Sequence, residues 1–467
     1  MSPGPSREEG GPAPVSLKTL AALAATLLVL GLLGAGSGSG ARARPAAPAG
    51  APISTAASSA AIAQALYGLA GPPPRLYRVD PRTLRVRRDR SAPLNGHAFG
   101  WSFSPDRARL AAGSDVTAEL RLFDLTRLRA LGDVKLNRRG LVYATTWASR
   151  SRVLAAVLVP GCCGLGDTII SAVNADSRRV LWRRDLQGSL QAGAAYRGSF
   201  ALVLGPRWAI GPSRLVVVAP DGRLRTVRLD QIRSGWQRYG RGPISHQWNP
   251  GLALDPATGR AFVVQAGAPV AEVDLRRLSV RYHPLSEPIS FLGRLRDWLE
   301  PKAEAKAMDG PEREAIWLGG GHLAVTGVDY QGTIDNQGRE REVDAPAGLK
   351  LIDTRRWSVR TLDHSTSSIS YTRGVLFGYG TSWDSRTSKM SGSGLTAYDP
   401  SGRQLYHRYG NQPISGVTAV PRGVLVGGNQ GSSAFRHQDL LEPRSGRLLG
   451  QARVDVELIS SDQPFWF

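Results

Sequence analysis

The chain has 467 residues, more than the roughly 250–300 at which a single hydrophobic core stops growing, so several domains or a repeated unit are needed. Its net charge of +21 comes mostly from arginines spread along the sequence. The sequence contains no basic helix and no aromatic–basic motif of a known nucleic-acid-binding module, which argues against a nucleic-acid-binding protein. The two cysteines are neighbours, which excludes a disulfide-stapled miniature and the ligand spacing of a zinc site.

An apolar segment near the amino terminus indicates where the protein is located in the cell. Residues 20–35 form a run of Leu, Ala, Val, Thr and Gly that is shorter than the about 20 residues of a spanning helix but suits a signal peptide. Residues 36–74 are rich in Gly, Ala, Ser and Pro and predict a linker. We therefore expect residues 1–35 to be a signal peptide or membrane anchor. The rest would be extracytoplasmic, either secreted or held at the membrane through this segment.

Eight hairpins recur along residues 75–467. In each, an apolar run ends at an acidic residue, a turn follows, and a second, often arginine-rich, strand begins. The acidic residues are Asp80, Asp124, Asp176, Asp221, Asp274, Asp353, Asp399 and Glu442. Most successive intervals between them are 43–53 residues, close to the period of a four-stranded propeller blade. The interval from Asp274 to Asp353 is 79 residues and contains an insertion.

A pair of apolar strands precedes every hairpin except the first. Segments 101–103 and 109–112, for example, precede the hairpin at Asp124. The hairpin at 75–90 has no such partner, and the carboxyl-terminal segment 456–467 supplies an unmatched pair. We predict that the two termini share one blade, which closes the ring and removes exposed sheet edges.

One blade carries a recognisable signature. Phe-Ser-Pro-Asp at 103–106, followed by Leu-Ala-Ala-Gly at 110–113 and Leu-Phe-Asp at 122–124, resembles tryptophan–aspartate repeat and YVTN-type propellers. Gly96 and His97 strengthen the likeness there, whereas most other blades lack this pair. The resemblance implies a fold rather than an activity. We predict an all-β fold, a single β-propeller of four-stranded blades, with eight blades favoured and seven as the alternative.

Propeller geometry separates the connections between strands onto two faces. Turns between first and second strands, and between third and fourth, share one face and are short here. Connections between second and third strands, and from blade to blade, share the other, which we call the long-loop face. Its long connections are 159–168, 205–213, 233–248, 286–312, 327–348, 378–394 and 427–438. Function is often carried by loops on a rigid scaffold, so this is the predicted binding surface.

Aromatic and basic residues are concentrated in these loops. The candidates for a ligand-binding face are Trp208, Trp236, Arg238, Tyr239, Arg241, His246, Trp248, Trp383, Asp384, Arg436 and His437. Aromatic rings stack on planar or apolar ligands, and arginine presents a fixed fork to carboxylate or phosphate. The alternative is that the aromatic side chains only hold the long loops against the propeller rim.

Two further features give weaker signals. In the insertion near 286–312, apolar residues at helical spacing predict a short helix. A polar stretch further on could in principle supply calcium ligands through Asp329, Asp335, Asn336 and Asp344. Their spacing matches no EF-hand, so we expect a solvated loop and no metal site.

Cys162 and Cys163 are adjacent, and neighbouring Cα atoms lie about 3.8 Å apart, so a disulfide between them would be strained. An exported protein can still form it. Eight-bladed quinoprotein dehydrogenases, which the chain resembles in blade count, place a vicinal disulfide against pyrroloquinoline quinone. That resemblance implies a quinone cofactor, but the repeated tryptophan-docking signature of those enzymes is absent. We therefore predict no cofactor and a structural or redox-inert pair.

The sequence leaves three functions open. We favour a propeller, expected to be a monomer, that binds an unidentified protein or small molecule through the long-loop face. An enzyme (lyase, hydrolase or quinoprotein dehydrogenase) would use the same face, although no nucleophile elbow or phosphate-binding glycine loop is found. The third possibility is attachment to an anionic envelope polymer through the arginines. No nucleic-acid partner is expected.

Overall fold

The repeated hairpins of the sequence form eight antiparallel four-stranded blades in a computed structural model. The structure describes residues 66–70, 74–94, 98–114, 116–159, 166–207, 209–238, 245–285, 308–334, 340–384, 389–428, 438–452 and 457–459. These residues contain no helix, and all belong to the second of two units, Met1–Leu32 and Leu33–Phe467. The predicted all-β propeller is confirmed, with eight blades rather than seven.

The first four blades follow one another along the chain. Blade 1 contains β1 (Leu66–Ala70), β2 (Arg75–Val79) and β3 (Val86–Pro93). Blade 2 contains β4 (Ala98–Phe103), β5 (Arg109–Ser114), β6 (Glu119–Asp124) and β7 (Arg129–Lys135). Blade 3 contains β8 (Leu141–Trp147), β9 (Arg152–Leu158), β10 (Thr168–Asn174) and β11 (Arg179–Leu186). Blade 4 contains β12 (Ser189–Tyr196), β13 (Ser199–Gly205), β14 (Ile210–Val218) and β15 (Leu224–Arg238), and β16 (Ser245–Trp248) pairs with the end of β15.

The remaining blades include one inserted strand. Blade 5 contains β17 (Gly251–Asp255), β18 (Arg260–Val264), β19 (Val270–Asp274) and β20 (Ser279–His283). Blade 6 contains β21 (Met308–Gly319), β22 (His322–Ile334), the inserted β23 (Glu340–Pro346), β24 (Leu349–Asp353) and β25 (Ser358–Asp363). Blade 7 contains β26 (Ser368–Thr372), β27 (Val375–Asp384), β28 (Lys389–Tyr398) and β29 (Gln404–Arg408). Blade 8 contains β30 (Ile414–Val420), β31 (Gly423–Gly428), β32 (Gln438–Leu441) and β33 (Leu448–Ala452), and β34 (Glu457–Ile459) completes blade 1.

The two ends of the propeller meet in blade 1, as predicted. β34 pairs antiparallel with β1, with Tyr67 opposite Ile459 and Leu69 opposite Glu457. The division of strands differs from the prediction, because the carboxyl end contributes one described strand rather than two. The other strand is β1, which lies inside the segment 36–74 predicted as a linker. Its sequence, Leu-Tyr-Gly-Leu-Ala, is short and includes Gly and Ala, so it resembles the preceding Ala- and Gly-rich chain. The predicted strand at 464–467 lies outside the described residues.

Most of the acidic residues that marked the repeats cap the turns between third and fourth strands. The Asp80 carboxylate accepts the backbone N–H groups of Arg82 and Thr83, both at 2.8 Å. These hydrogen bonds hold the pKa of Asp80 below its usual value. The N–H of Leu84 donates to the Asp80 carbonyl at 2.8 Å, and Leu84 adopts a left-handed φ of 58°. Asp274 and Asp353 form the same turn, and in blade 3 the cap is Asn174 rather than the predicted Asp176.

Burial explains why the inner strands are apolar and the outer strands rich in arginine. Every residue of β17 and of β26 is buried, because each inner strand packs between two neighbouring blades. In β11, an outer strand, only Leu186 is buried. The blades contact each other through interdigitated side chains; the Phe262 ring of blade 5, for example, stacks on Trp317 of blade 6 with centroids 5.0 Å apart. The core is therefore a ring of interfaces between blades.

Candidate functional site

The long-loop face carries strands where the sequence predicted loops. In the segments 233–248, 327–348 and 378–394, the chain continues as the paired ends of β15 and β16, β22 and β23, and β27 and β28. These extensions also pair with one another. β16 runs parallel to the start of β21, and β23 meets β27 where Val343 lies opposite Asp384. Extensions from blades 4, 6 and 7 are therefore joined on this face.

Three carboxyl groups of blade 6 form what we call the carboxyl cluster: Glu312, Glu314 and Asp344. Glu312 lies opposite Val328, and Tyr330 lies opposite Asp344, in the β21–β22–β23 register. Because alternate residues of a strand share a face, all three carboxyls and the Tyr330 ring lie on the same side of the sheet. The Tyr330 hydroxyl donates to Oε2 of Glu312 at 3.3 Å.

Burial controls the protonation of the cluster. Loss of solvent raises the pKa of Glu312, and hydrogen bonds from Tyr330 and Asn249 oppose this effect only in part. Burial also raises the pKa of Asp344 to about 6. Because the charge of Asp344 disfavours ionisation of Glu312, the two carboxyls are coupled. The pair therefore holds protons at a higher pH than exposed carboxyls would.

Glu314 lies deeper, at the interface with blade 7. Its Oε2 accepts the backbone N–H of Ile369 at 3.2 Å, which links the inner strands of the two blades. Burial, with a smaller contribution from the charge of Glu312, raises its pKa to about 8. The buried Tyr379 hydroxyl of blade 7 is close enough that the Glu314 charge raises the pKa of Tyr379 further. Glu314 is thus a protonated, largely structural member of the cluster near neutral pH.

The cluster faces the central channel near its mouth. β21 starts on the long-loop face and ends at the short turn 320–321, so Glu312 lies in its first half. Tyr143 lies at a bulge early in β8, the inner strand of blade 3. Burial, and then the negative charge of Glu312, raise the pKa of Tyr143. Because blades 3 and 6 are not neighbours, this interaction acts across the channel.

The opposite side of the same strands carries a compensating ion pair. Nη1 of Arg313 lies 2.8 Å from Oδ1 of Asp329 and also donates to the carbonyls of Glu312 and Val328, at 2.8 and 3.3 Å. Arg313 is only 8% exposed. Its positive charge lowers the pKa of Glu312 through the strand. Asp329 and Asp344 therefore lie on opposite sides of a sheet, on strands rather than in the predicted loop, and the Asp329 side chain is still 44% exposed.

Close backbone packing brings Asn249 and Gly327 against β21. The Asn249 N–H donates to the carbonyl of Pro311 at 3.0 Å, and the Arg313 N–H donates to the carbonyl of Asn249 at 2.8 Å. A side chain at Gly327, which has a φ of +149°, would collide with the Glu312 carbonyl oxygen. The Asn249 Oδ1 atom is buried and has no hydrogen-bond partner within the described part of the chain. An acceptor beside Glu312 is thus left unsatisfied.

The predicted aromatic–basic residues lie beside this site in the β15–β16 hairpin. Gly235 lies opposite Trp248, Trp236 opposite Gln247, and Gln237 opposite His246. Trp236 therefore projects from one side of the hairpin, and His246 and Trp248 project from the other. The guanidinium of Arg233 lies 5.8 Å from the centroid of the Trp248 ring. The hairpin brings part of the predicted set together but divides it between two faces.

The other predicted site residues cannot be placed around this centre. Arg238, Trp383 and Asp384 occupy described strand positions whose side chains are outside the described set. The residues outside the described ranges are Trp208, Tyr239, Arg241, Arg436, His437, Cys162, Cys163, Asp335 and Asn336. The predicted helix in the insertion falls there as well, except that 308–312 begin β21.

The described residues contain neither a metal-ligand cluster nor a membrane-spanning helix. No group of three His, Cys, Asp or Glu side chains there is arranged to hold a metal ion. None of those residues belongs to a helix long and apolar enough to cross a bilayer. Residues 20–35 lie outside the described ranges.

Sequence reasoning missed Glu312, Glu314, Tyr330 and Tyr143. The available signal was the segment Pro-Glu-Arg-Glu-Ala-Ile at 311–316, in which two glutamates at alternate positions lead directly into an apolar strand. Extending that strand by four residues would have placed both carboxyls on one side of the sheet. The proximity of Tyr143 had no local signal, since blades 3 and 6 meet only across the channel.

Comparisons with known proteins support the fold but assign the chain to no family. No protein-family model matches the chain, and no curated protein matches it. Among solved structures, dihydro-heme d1 dehydrogenase NirN in complex with DHE is similar, with a TM-score of 0.53 and 12% identity over 85% of this chain and 75% of that chain. At this identity the likeness supports the β-propeller fold alone.

Two other structures show lower similarity. BamB from Moraxella catarrhalis has a TM-score of 0.42 and 9% identity, over 77% of this chain and 92% of that chain. Hydrazine synthase of Kuenenia stuttgartiensis has a TM-score of 0.36 and 14% identity, over 62% of this chain and 80% of that chain. Neither similarity is high enough to guide an assignment of function.

Proposed function

We propose that this propeller binds a ligand at the channel mouth of the long-loop face, and that the carboxyl cluster contacts an ammonium or guanidinium group of that ligand. The observation that carries the proposal is the partly exposed but poorly solvated carboxyl of Glu312, coupled to Asp344 and facing Tyr143 across the channel. Buried carboxyls with raised pKa values are costly to ionise unless a cation accompanies them. A bound cation would supply that missing partner.

Two neighbouring features support an organic cation. The unsatisfied Oδ1 of Asn249 is a further acceptor for an N–H group beside Glu312. Trp236 on the adjacent hairpin lies opposite Gln247, on the side of the sheet that also carries Asn249 and Glu312, and the face of an indole ring suits a cation. The whole chain has a net charge of +21, which repels cations from most of its surface. Binding of a cation at the acidic mouth would therefore be specific to that site.

Calorimetric titration with agmatine, which carries both cationic groups, tests the proposal. We expect saturable binding that strengthens between about pH 5 and pH 8, because the carboxyls must lose protons to pair with the ligand. Glu312→Gln should weaken it by about tenfold or more, the effect of removing one charged partner. Glu119→Gln, in β6 of blade 2, is the matched control and should bind as wild type does.

Equal agmatine affinity in the wild-type and Glu312→Gln proteins would refute the proposal, as would binding that weakens with rising pH. Thermal unfolding of both variants checks that each is folded. A protein ligand would present the same chemistry through Arg or Lys side chains, and agmatine would then compete with it.

A second candidate function is an enzyme that uses the same mouth, because Asp344, with a pKa of about 6, is coupled to Glu312, whose pKa is also raised. Carboxyls whose pKa values are raised toward neutral pH can donate and accept protons in a reaction at that pH. Mass spectrometry of a ligand recovered after incubation distinguishes the two functions. An unchanged ligand supports binding, and a chemically altered one supports catalysis that Glu312→Gln should abolish.

We also propose that residues 1–35 direct export and either remain as a membrane anchor or are cleaved. The support is the apolar run at 20–35 and the segment Ala-Arg-Ala at 41–43, which has the small-x-small pattern of a signal-peptide cleavage site. Fusion of residues 1–50 to a reporter that is active only outside the cytoplasm should give active reporter. A reporter that stays inactive and soluble would contradict export.

A further inference from the structure

A second cleft opens on the long-loop face, at blade 4. Its volume is about 430 Å³, within the range of small-molecule sites. Its walls come from Gln187 and Gly188, which connect blades 3 and 4, and from the connection between β13 and β14, including Pro206 and Arg207. Both connections emerge on the long-loop face. No residue of the carboxyl cluster lines this cleft.

Glycine keeps the floor of the cleft open. Gly188 has a φ of +112°, and a Cβ there would lie 2.5 Å from the carbonyl oxygen of Gly205 and 3.7 Å from Nη2 of Arg214. Only glycine allows the two connections to approach this closely. Its missing side chain also leaves free space next to the Arg214 guanidinium.

Arg207 is held in place by a carboxylate at the cleft edge. Asp167 contacts Nε and Nη2 of Arg207 with both of its oxygens. The same carboxylate accepts the Gly188 N–H at 3.2 Å, so it ties Arg207 to the blade connection. This arrangement fixes the orientation of Arg207 while leaving about half of its side chain exposed.

Arg214 has no such carboxylate. Its guanidinium donates to the carbonyl of Gln187, and no Asp or Glu of the described residues lies within ion-pair distance. Partial burial lowers its pKa, which reflects the loss of solvent around an uncompensated charge. With Arg207 neutralised by Asp167, the cleft keeps one net positive charge.

We propose that this cleft binds a small anion through a carboxylate or phosphate group, with Arg214 as the principal contact and Arg207 as the second. A guanidinium donates through several N–H groups in a fixed plane, so Arg214 can keep its bond to Gln187 and still bind an oxyanion. The bound anion replaces the solvent that Arg214 loses. The ligand chemistry differs from that of the acidic channel mouth, and this site is independent of the proposed function.

Calorimetry with citrate and with inorganic phosphate, at about 0.15 M salt to screen non-specific attraction, tests the site. We expect saturable binding of at least one, and the one that binds identifies the ligand class. Arg214→Gln should weaken it by about tenfold or more. Arg225→Gln is the matched control, since Arg225 is in the same blade and, among the described residues, likewise donates only to backbone carbonyls, those of Leu275 and Arg276.

Hydrogen exchange on the wild-type protein gives a second readout that needs no variant. The bound anion should slow amide exchange in peptides covering 186–190 and 204–214 and leave peptides around Arg225 unchanged. The proposal fails if neither anion binds saturably at about 10 mM. It also fails if Arg214→Gln and Arg225→Gln weaken binding equally, which would indicate only general attraction to a basic protein.

Discussion

Glu314→Gln should remove a pH dependence from the stability of the propeller. The carboxyl has an ordinary pKa of 4.5 and a pKa of about 8 in the folded protein, where burial favours its neutral form. The folded state therefore binds this proton more tightly than the unfolded state does. Its stabilising contribution is complete below about pH 4.5 and is lost as the pH rises toward 8.

The size of the effect follows from the two pKa values. One pKa unit corresponds to about 1.36 kcal/mol. The free energy of unfolding of the wild-type protein therefore falls by roughly 3 kcal/mol between about pH 4.5 and pH 7, and by at most roughly 5 kcal/mol above pH 8. Glutamine keeps the shape and can still accept the Ile369 N–H, but it carries no titratable proton. Any cost of its extra N–H groups is the same at every pH.

Guanidinium denaturation of both proteins at about pH 5, 7 and 9 measures the difference. We expect the free energy of unfolding of Glu314→Gln, relative to wild type, to rise by several kcal/mol across this range. Glu119→Gln, which removes a carboxyl group from blade 2, is the control for the general effect of losing one acidic side chain. Parallel pH profiles for wild type and Glu314→Gln would refute the assignment of a buried, protonated Glu314.

Two further predictions concern the blades themselves. Phe262→Ala should lower the free energy of unfolding by about 3–5 kcal/mol, because the ring is 2% exposed and stacks on Trp317. Leu224→Ala, at a site 40% exposed, should change it by less than about 0.5 kcal/mol in the same denaturation experiment; similar losses for both would contradict the interface packing. A chain ending at residue 452 lacks β34 and should unfold at a lower denaturant concentration than the wild type. Its amides at 67–69, which face β34 in the wild type, should exchange quickly. A chain ending at residue 460 keeps β34 and should behave as the wild type does. Equal exchange in the two truncated chains would argue against closure through β1.

The sequence by itself determined the repeat, the all-β class and the meeting of the chain ends, because these depend on patterns that each blade restates locally. An apolar strand, a capping carboxylate such as Asp80 or Asp274, and an arginine-rich outer strand are short-range consequences of burial and turn chemistry. The structure then fixed the number of blades at eight, because the last segment forms β34, the strand that completes blade 1. The same patterns identified the long-loop face and the hairpin that carries Trp236 and Trp248.

Only the tertiary structure decided what those faces contain. The alternation of Glu312 and Glu314 before an apolar run indicates that they share one side of a strand, but their loss of solvent depends on blade 7, on the β23 extension and on Tyr143 across the channel. The Arg214 cleft likewise depends on Gly188 approaching Gly205 from another blade connection. A side chain's solvation and its distant neighbours are properties of the assembled ring, so the chemistry of both sites follows from packing that no local pattern records.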